Sequence, residues 1–159
     1  MRDDIENWIL NFVEDPTICP YAKKARLDNQ IKIVEIKDLL ELIELADTLD
    51  VDVCIAYTDK VSVNVTSVLR DINAELMKRN LVVLEDIAPE IINGRDMSFG
   101  KCPLFFIQKL SFLNDKALKL IHTGYYDNWT MENLEDVVLW RFHNPDDFLK
   151  RLRLRIPNA

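Results

Sequence analysis

The sequence predicts an α/β fold: a three-layer arrangement of helices around a largely parallel sheet, with a helical arm at the N-terminus and a helix at the C-terminus. Three observations lead there. Between Ile31 and Leu84, short β-branched runs alternate with stretches of helical period, the pattern of parallel strands joined by right-handed crossovers. After Pro103 two short apolar runs flank a turn-forming triplet, which reads as an antiparallel hairpin. The chain has 159 residues, 48% of them hydrophobic and 30% charged, so it can bury a core and is too apolar to be disordered.

The elements follow in order. Ile5, Trp8, Ile9, Phe12 and Val13 recur at the spacing of one helical face; Asp3 or Asp4 is placed to cap that helix and Pro16 to end it. A loop with Cys19-Pro20-Tyr21-Ala22 leads to a short basic helix, Lys23 to Arg26. Ile31 to Ile36 is a strand, and Leu39, Leu42, Ile43 and Ala46 mark a helix capped by Asp38. Val51 to Tyr57 is a second strand, Val65, Val68, Leu69, Ile72 and Leu76 line a long helix, and Leu81 to Leu84 is a third strand. The stretch from Glu90 to Lys101 reads as irregular. Leu104 to Lys109 and Ala117 to His122 then read as hairpin strands around Asn114-Asp115-Lys116. Thr130 caps a helix containing Leu134, Val137 and Val138, and Asn144-Pro145-Asp146-Asp147 opens the last one. No linker or repeat divides the chain, which reads as one domain: arm 1–30, body 31–142, C-terminal helix and tail 143–159.

Composition narrows the function. Twenty-seven acids against 20 bases give a net charge of -7, which argues against the whole chain coating nucleic acid. Three glycines are too few for a P-loop or a dinucleotide-binding turn. Two histidines without a C-x-x-C pair make no zinc site, no EF-hand spacing occurs, and no G-x-S-x-G elbow is present. No metal and no cofactor is therefore expected, with carboxylate-only Mg²⁺ or Ca²⁺ binding left open. The start is not that of a signal peptide, no run reaches the length of a membrane span, and the cysteines are odd in number. We expect a cytoplasmic protein with reduced thiols and no membrane contact.

From residue 31 to about 142 the order βαβαβ, irregular segment, ββα resembles the thioredoxin-like fold. The stretch Gly100-Lys101-Cys102-Pro103-Leu104-Phe105-Phe106-Ile107, followed by Leu118 to Gly124, is similar to the part of that family in which a cis-proline opens the first hairpin strand and a glycine closes the second. The resemblance implies a cis Pro103 facing the loop Thr58-Asp59-Lys60-Val61-Ser62. That loop holds no cysteine, so the family's dithiol centre is missing from its usual place. In the arm, a Trp8-bearing helix leading into Cys19-Pro20-Tyr21-Ala22-Lys23 resembles an uncharacterised bacterial domain family with a Trp-helix and a Cys-Pro-Phe-Ala motif, which implies a fold and little chemistry.

Several residues could carry chemistry. Cys19, at a helix start with Lys23, Lys24 and Arg26 nearby, has the setting of a reactive thiolate, or is a small buried hydrophobe. Cys102, before the proline, could resolve it, or is a free half-buried thiol; Cys54, mid-strand, belongs to the core. Asp59 and Lys60 lie where open α/β sheets place their binding crevice, and Asp86 faces the same rim; a solvated turn is the bland alternative. Lys150, Arg151, Arg153 and Arg155 form a basic tail that could meet an anionic partner, nucleic acid included, or merely suits a helix C-terminus. Tyr125, Tyr126, Trp129, Trp140 and Phe142 are either a recognition surface or the seal of the last helices. The leading expectation is a non-catalytic thioredoxin-like module that binds a protein or small ligand through Thr58, Asp59, Lys60, Cys102 and Pro103. A thiol enzyme using Cys19 with Cys102 is the second reading, and an interaction protein using the basic tail the third.

Overall fold

The chain parts into two units, Met1–Pro89 with Ser98–Lys109, and Glu90–Met97 with the chain from Leu110 onward. The computed structural model describes residues 1–60 and 64–155; Val61 and Ser62 of the expected loop and Ile156 of the tail lie outside them.

The first unit is α/β. Helix α1 (Arg2–Trp8) runs into a π-helical turn, Ile9–Val13, and a short helix α2 (Ala22–Leu27) follows. Then come β1 (Ile31–Glu35), α3 (Glu41–Asp47), β2 (Val53–Tyr57), α4 (Val65–Leu76) and β3 (Leu81–Asp86), and after the excursion through the second unit, β6 (Leu104–Lys109). The sheet order is β1-β2-β6-β3. β1 and β2 pair in parallel, while β6 runs antiparallel to both β2 and β3, so β6 separates β3 from the parallel pair.

Period-two alternation gives the sheet two apolar faces. Cys54 and Ala56 of β2, Phe105 and Ile107 of β6 and Val83 of β3 pack with Leu42 and Ala46 of α3 and Val65, Leu69, Ile72 and Leu76 of α4. Ile33, Ile55 and Leu104 point the other way, onto Ile5 and Ile9 of the arm and onto Phe99. The arm is thus a layer of this unit. Its Trp8 ring stacks 6.1 Å from Phe12 and tilts at 5.4 Å against Phe99. Asp3 and Asp4 sit inside the first turn and do not cap it, since the helix already starts at Arg2; there they still favour the helix dipole.

Asn73 of α4 is buried and fastens helix to sheet. Its Nδ2 donates to the Val83 carbonyl (2.9 Å) and its Oδ1 accepts from the Val83 amide (2.8 Å). β3 is an edge strand, so a side-chain amide stands where a further strand would have paired.

The second unit contains a small hairpin, β4 (Ile91–Ile92) and β5 (Arg95–Asp96), then α5 (Leu110–Ile121), α6 (Met131–Val137), a 3₁₀ turn Leu139–Arg141, and α7 (Pro145–Arg155). Asn93 and Gly94 close the hairpin with φ of 53° and 76°, the left-handed backbone that a two-residue turn requires and that Asn-Gly supplies. Asn133 of α6 holds the hairpin by donating to Glu90 Oε1 (3.3 Å) and to the Ile91 carbonyl (3.0 Å). The Thr130 hydroxyl caps α6 by accepting from the Asn133 amide (3.1 Å), as expected.

Two expectations are corrected. The segment from Ala117 to His122 is not a strand: α5 begins directly after β6 and includes Ala117 to Ile121. Leu113, Ala117, Leu120 and Ile121 share one helical face, and Leu, Lys and Ala are good helix formers. Asn114 and Asp115 make no turn because their side chains are engaged elsewhere, Asn114 Nδ2 with the Arg141 carbonyl (3.0 Å) and Asp115 with Lys119 (3.0 Å). The bond entering Pro103 is trans, since no peptide bond among the described residues is cis, and trans is the default even before proline. The second hairpin strand of the thioredoxin-like pattern is therefore absent, and Gly124, at φ 85°, follows a helix.

Candidate functional site

The parallel strands β1 and β2 end side by side, and both chains leave the sheet there. Thr58, the first residue past β2, is 4% exposed, with its amide donating to the Pro103 carbonyl at 3.4 Å. Thr58 and Pro103 thus meet through backbone. The Thr58 hydroxyl accepts from the Lys60 amide (3.4 Å) and donates to the Lys60 carbonyl (3.3 Å), which folds the chain back at Asp59.

That turn forms one wall of an open groove of about 610 Å³ lined by Ile36 to Leu40, Thr58, Lys60 and Val68. Ile36, Leu39 and Val68 supply an apolar floor, continuous with the core under α3 and α4. Lys37, Asp38 and Lys60 supply charge at the rim, and neither lysine makes an ion pair among the described residues. The amides at the start of α3 and just ahead of it are already taken: those of Glu41, Leu42 and Ile43 donate to the carbonyls of Asp38, Leu39 and Leu40 (3.1, 3.0 and 3.2 Å), Glu41 Oε2 accepts from the Lys37 and Asp38 amides (2.7 and 2.8 Å), and Asp38 Oδ1 accepts from the Leu40 amide (2.9 Å). These bonds hold the Glu41 carboxyl below its ordinary range. An anion in the groove would therefore meet lysine ammonium groups and not a helix terminus.

The expected five-residue set is split by the sheet. Thr58 and Lys60 line the groove, whereas Cys102 packs on the opposite face, beside the arm and Phe99. Lys101 Nζ pairs with Asp4 of the arm at 3.2 Å. Asp59 is exposed at the tip of the turn and does not line the groove. Asp86, expected at the same rim, accepts the Phe99 amide at 2.9 Å and braces that loop.

The three cysteines are free thiols. Burial pushes the Cys102 thiol up, with Asp86 and Asp4 adding to the effect against the N-terminal ammonium; this is the reverse of thiolate activation. Cys19 is not at the N-cap of a helix: α2 starts at Ala22, and the Cys19 carbonyl accepts the Ala22 amide at 3.4 Å. Two of its basic neighbours have partners of their own. Arg26 grips Glu14 with both Nε and Nη2, and Lys24 holds Asp28, and each base is raised above its ordinary value by that carboxylate.

In the tail, Arg151 pairs with Asp147 (3.0 Å) and Arg155 with Asp127 (3.9 Å), while Lys150 and Arg153 are exposed. Tyr125, Tyr126 and Trp129 form a mutual cluster that reaches Phe148 through Tyr126, and Phe148 in turn meets Phe142; Trp140 stands apart, 40% exposed. His122 and His143 are exposed. Among the described residues no group of three or more His, Cys, Asp or Glu converges, and no helix is long and apolar enough to cross a membrane.

The sequence reading missed Lys37, Asp38 and Leu39 as groove residues. The signal existed: the rule that places a crevice at the carboxyl ends of parallel strands was applied to β2 and β3 but not to β1. Compared with protein-family models, curated proteins and solved structures, the chain matches none of them.

Proposed function

We propose that this protein is a non-catalytic α/β binding module whose site is the groove at the carboxyl ends of β1 and β2, and that it takes a small molecule with an acidic head and an apolar body. The observation that carries the reading is the juxtaposition of Lys37 and Lys60 over Ile36, Leu39 and Val68. The volume falls within the roughly 300–1,000 Å³ of small-molecule sites, and the position is the one open α/β sheets use for ligands. What remains of the thioredoxin-like reading is the element order β1-α3-β2-α4-β3; the trans bond at Pro103 and the helix α5 stand against its second half. A thiol enzyme is disfavoured by the raised, arm-packed Cys102.

Octanoate and octylammonium are suitable probes, being matched in tail and opposite in head. Octanoate should shift the backbone amides of residues 36–40 and 58–60 saturably in ¹⁵N–¹H spectra, and octylammonium should bind more weakly. Lys60→Glu combined with Lys37→Glu should reverse that preference. Saturation at other amides, or equal binding of both probes to the parent protein, would overturn the reading.

A further inference from the structure

The second unit exposes two helix faces of opposite charge. On α6, Met131, Glu132, Glu135 and Asp136 are all exposed, and their spacing puts them on one side of the helix. No cation among the described residues pairs with any of these three carboxylates. On α7, Lys150, Arg153 and Leu154 share one side at i, i+3 and i+4, and all three are exposed. Arg151 and Arg155 have carboxylate partners, whereas Lys150 and Arg153 have none among the described residues. Leu154, at 73%, is the most exposed large apolar residue among those described. Asp146 and Asp147 belong to the first turn of α7, so its last two turns are basic.

The fold brings these two faces to the same end of the unit. After α6 the chain turns at Leu139–Arg141 and continues as α7. Arg155, the last residue of α7, reaches Asp127 (Nη2 to Oδ2, 3.9 Å) and lies against Gly124. Asp127 is three residues ahead of Thr130, the cap of α6. The basic end of α7 is therefore anchored beside the approach to the acidic helix, yet the two sets of charges do not pair within the chain.

We infer that this face is a contact between two copies of the chain, in which Lys150 and Arg153 of each copy meet Glu132, Glu135 and Asp136 of the other, and Leu154 meets Met131. A two-fold axis sets each patch against its opposite twice over, the reciprocal arrangement of a symmetric dimer. Charge complementarity selects the occupant. An acidic partner would use the α7 face alone and a basic one the α6 face alone; a second copy satisfies both, and covers an exposed apolar residue on each helix. The contact is confined to the second unit and is independent of the groove in the first.

Sedimentation equilibrium of the full chain tests this. So small a contact is a weak one, and a monomer–dimer equilibrium with Kd between about 1 µM and 1 mM is expected. Two double variants reverse one face each: Lys150→Glu with Arg153→Glu, and Glu132→Lys with Glu135→Lys. All four positions are exposed, so both variants should fold, as circular dichroism would verify. Each alone should raise Kd about tenfold or more, since several exposed ion pairs turn from attractive to repulsive. Mixed in equal amounts, the two variants should associate again, because each then offers the other an opposite charge at both halves of the contact. A parent protein that stays monomeric to about 1 mM, or that forms open-ended oligomers, would overturn the inference. So would a parent dimer indifferent to both reversals, or a mixture that fails to associate.

Discussion

Asn73→Ala is the sharpest test of how the first unit is held together. The side chain makes two hydrogen bonds, of 2.9 and 2.8 Å, to both polar backbone groups of Val83. Val83 is 1% exposed, so water does not replace them. Each orphaned backbone group costs about 1–3 kcal/mol, and with two such groups the loss should be about 3 kcal/mol. For a chain of this length that corresponds to a fall in Tm of about 6–12 °C. Asn73→Leu separates this cause from a packing defect. Leucine restores volume and no hydrogen bond, so it should not recover the loss. Urea midpoints give the energies, and hydrogen exchange at the Val83 amide reports the bond itself; its protection should fall more than that of neighbouring strand amides. An alanine variant within about 0.5 kcal/mol of the parent, the scatter of ordinary surface substitutions, would refute the reasoning. Full rescue by leucine would do the same.

Three further outcomes rest on buried titratable groups and on a helix cap. Cys102 and Cys54 have thiols raised by burial, so in the native protein both should alkylate more slowly than free cysteine near pH 8, measured by mass spectrometry. Because the folded state favours the neutral thiols, their contribution to stability is complete below the ordinary thiol range and is lost as pH rises through the raised values; Cys102 reacting at the free-thiol rate would contradict this. Glu90 is likewise raised by burial, with Asp136 and Glu132 adding repulsion and Asn133 opposing it. Glu90→Gln keeps the acceptor for Asn133, so it should raise Tm at pH 7, and the gain should shrink as pH falls and the parent carboxyl protonates; a loss at pH 7 would show the charge to be favourable. Thr130→Ala removes the α6 cap and should cost about 1 kcal/mol, read as a lower Tm than the parent's.

Much of the first unit was legible because its residues obey one period at a time. The buried positions of α4 fall on a single face, and β2 alternates between two apolar layers. The second unit was misread where local chemistry and periodicity disagreed. Asn114-Asp115-Lys116 has turn-forming composition yet lies inside α5, where Leu113, Ala117 and Leu120 impose helical spacing. Asn93-Gly94, the stronger turn signal, sits in a stretch read as irregular because its strands are only two residues each. Strand order was illegible for a different reason: the insertion of β6 between β2 and β3 depends on contacts far apart in the chain. The groove was half found, through β2.

The path of the backbone has a consequence for anyone who would dissect this molecule. Glu90–Met97 belongs with the later helices although both its flanks belong to the earlier sheet. A fragment ending at Lys109 would keep that hairpin but lose Asn133, the clamp on Glu90 and Ile91. A fragment starting at Leu110 would keep the clamp with nothing to grip. Neither half can be excised at one cut or grafted elsewhere as one continuous segment, so an expressed polypeptide must carry the two together or rewire the chain.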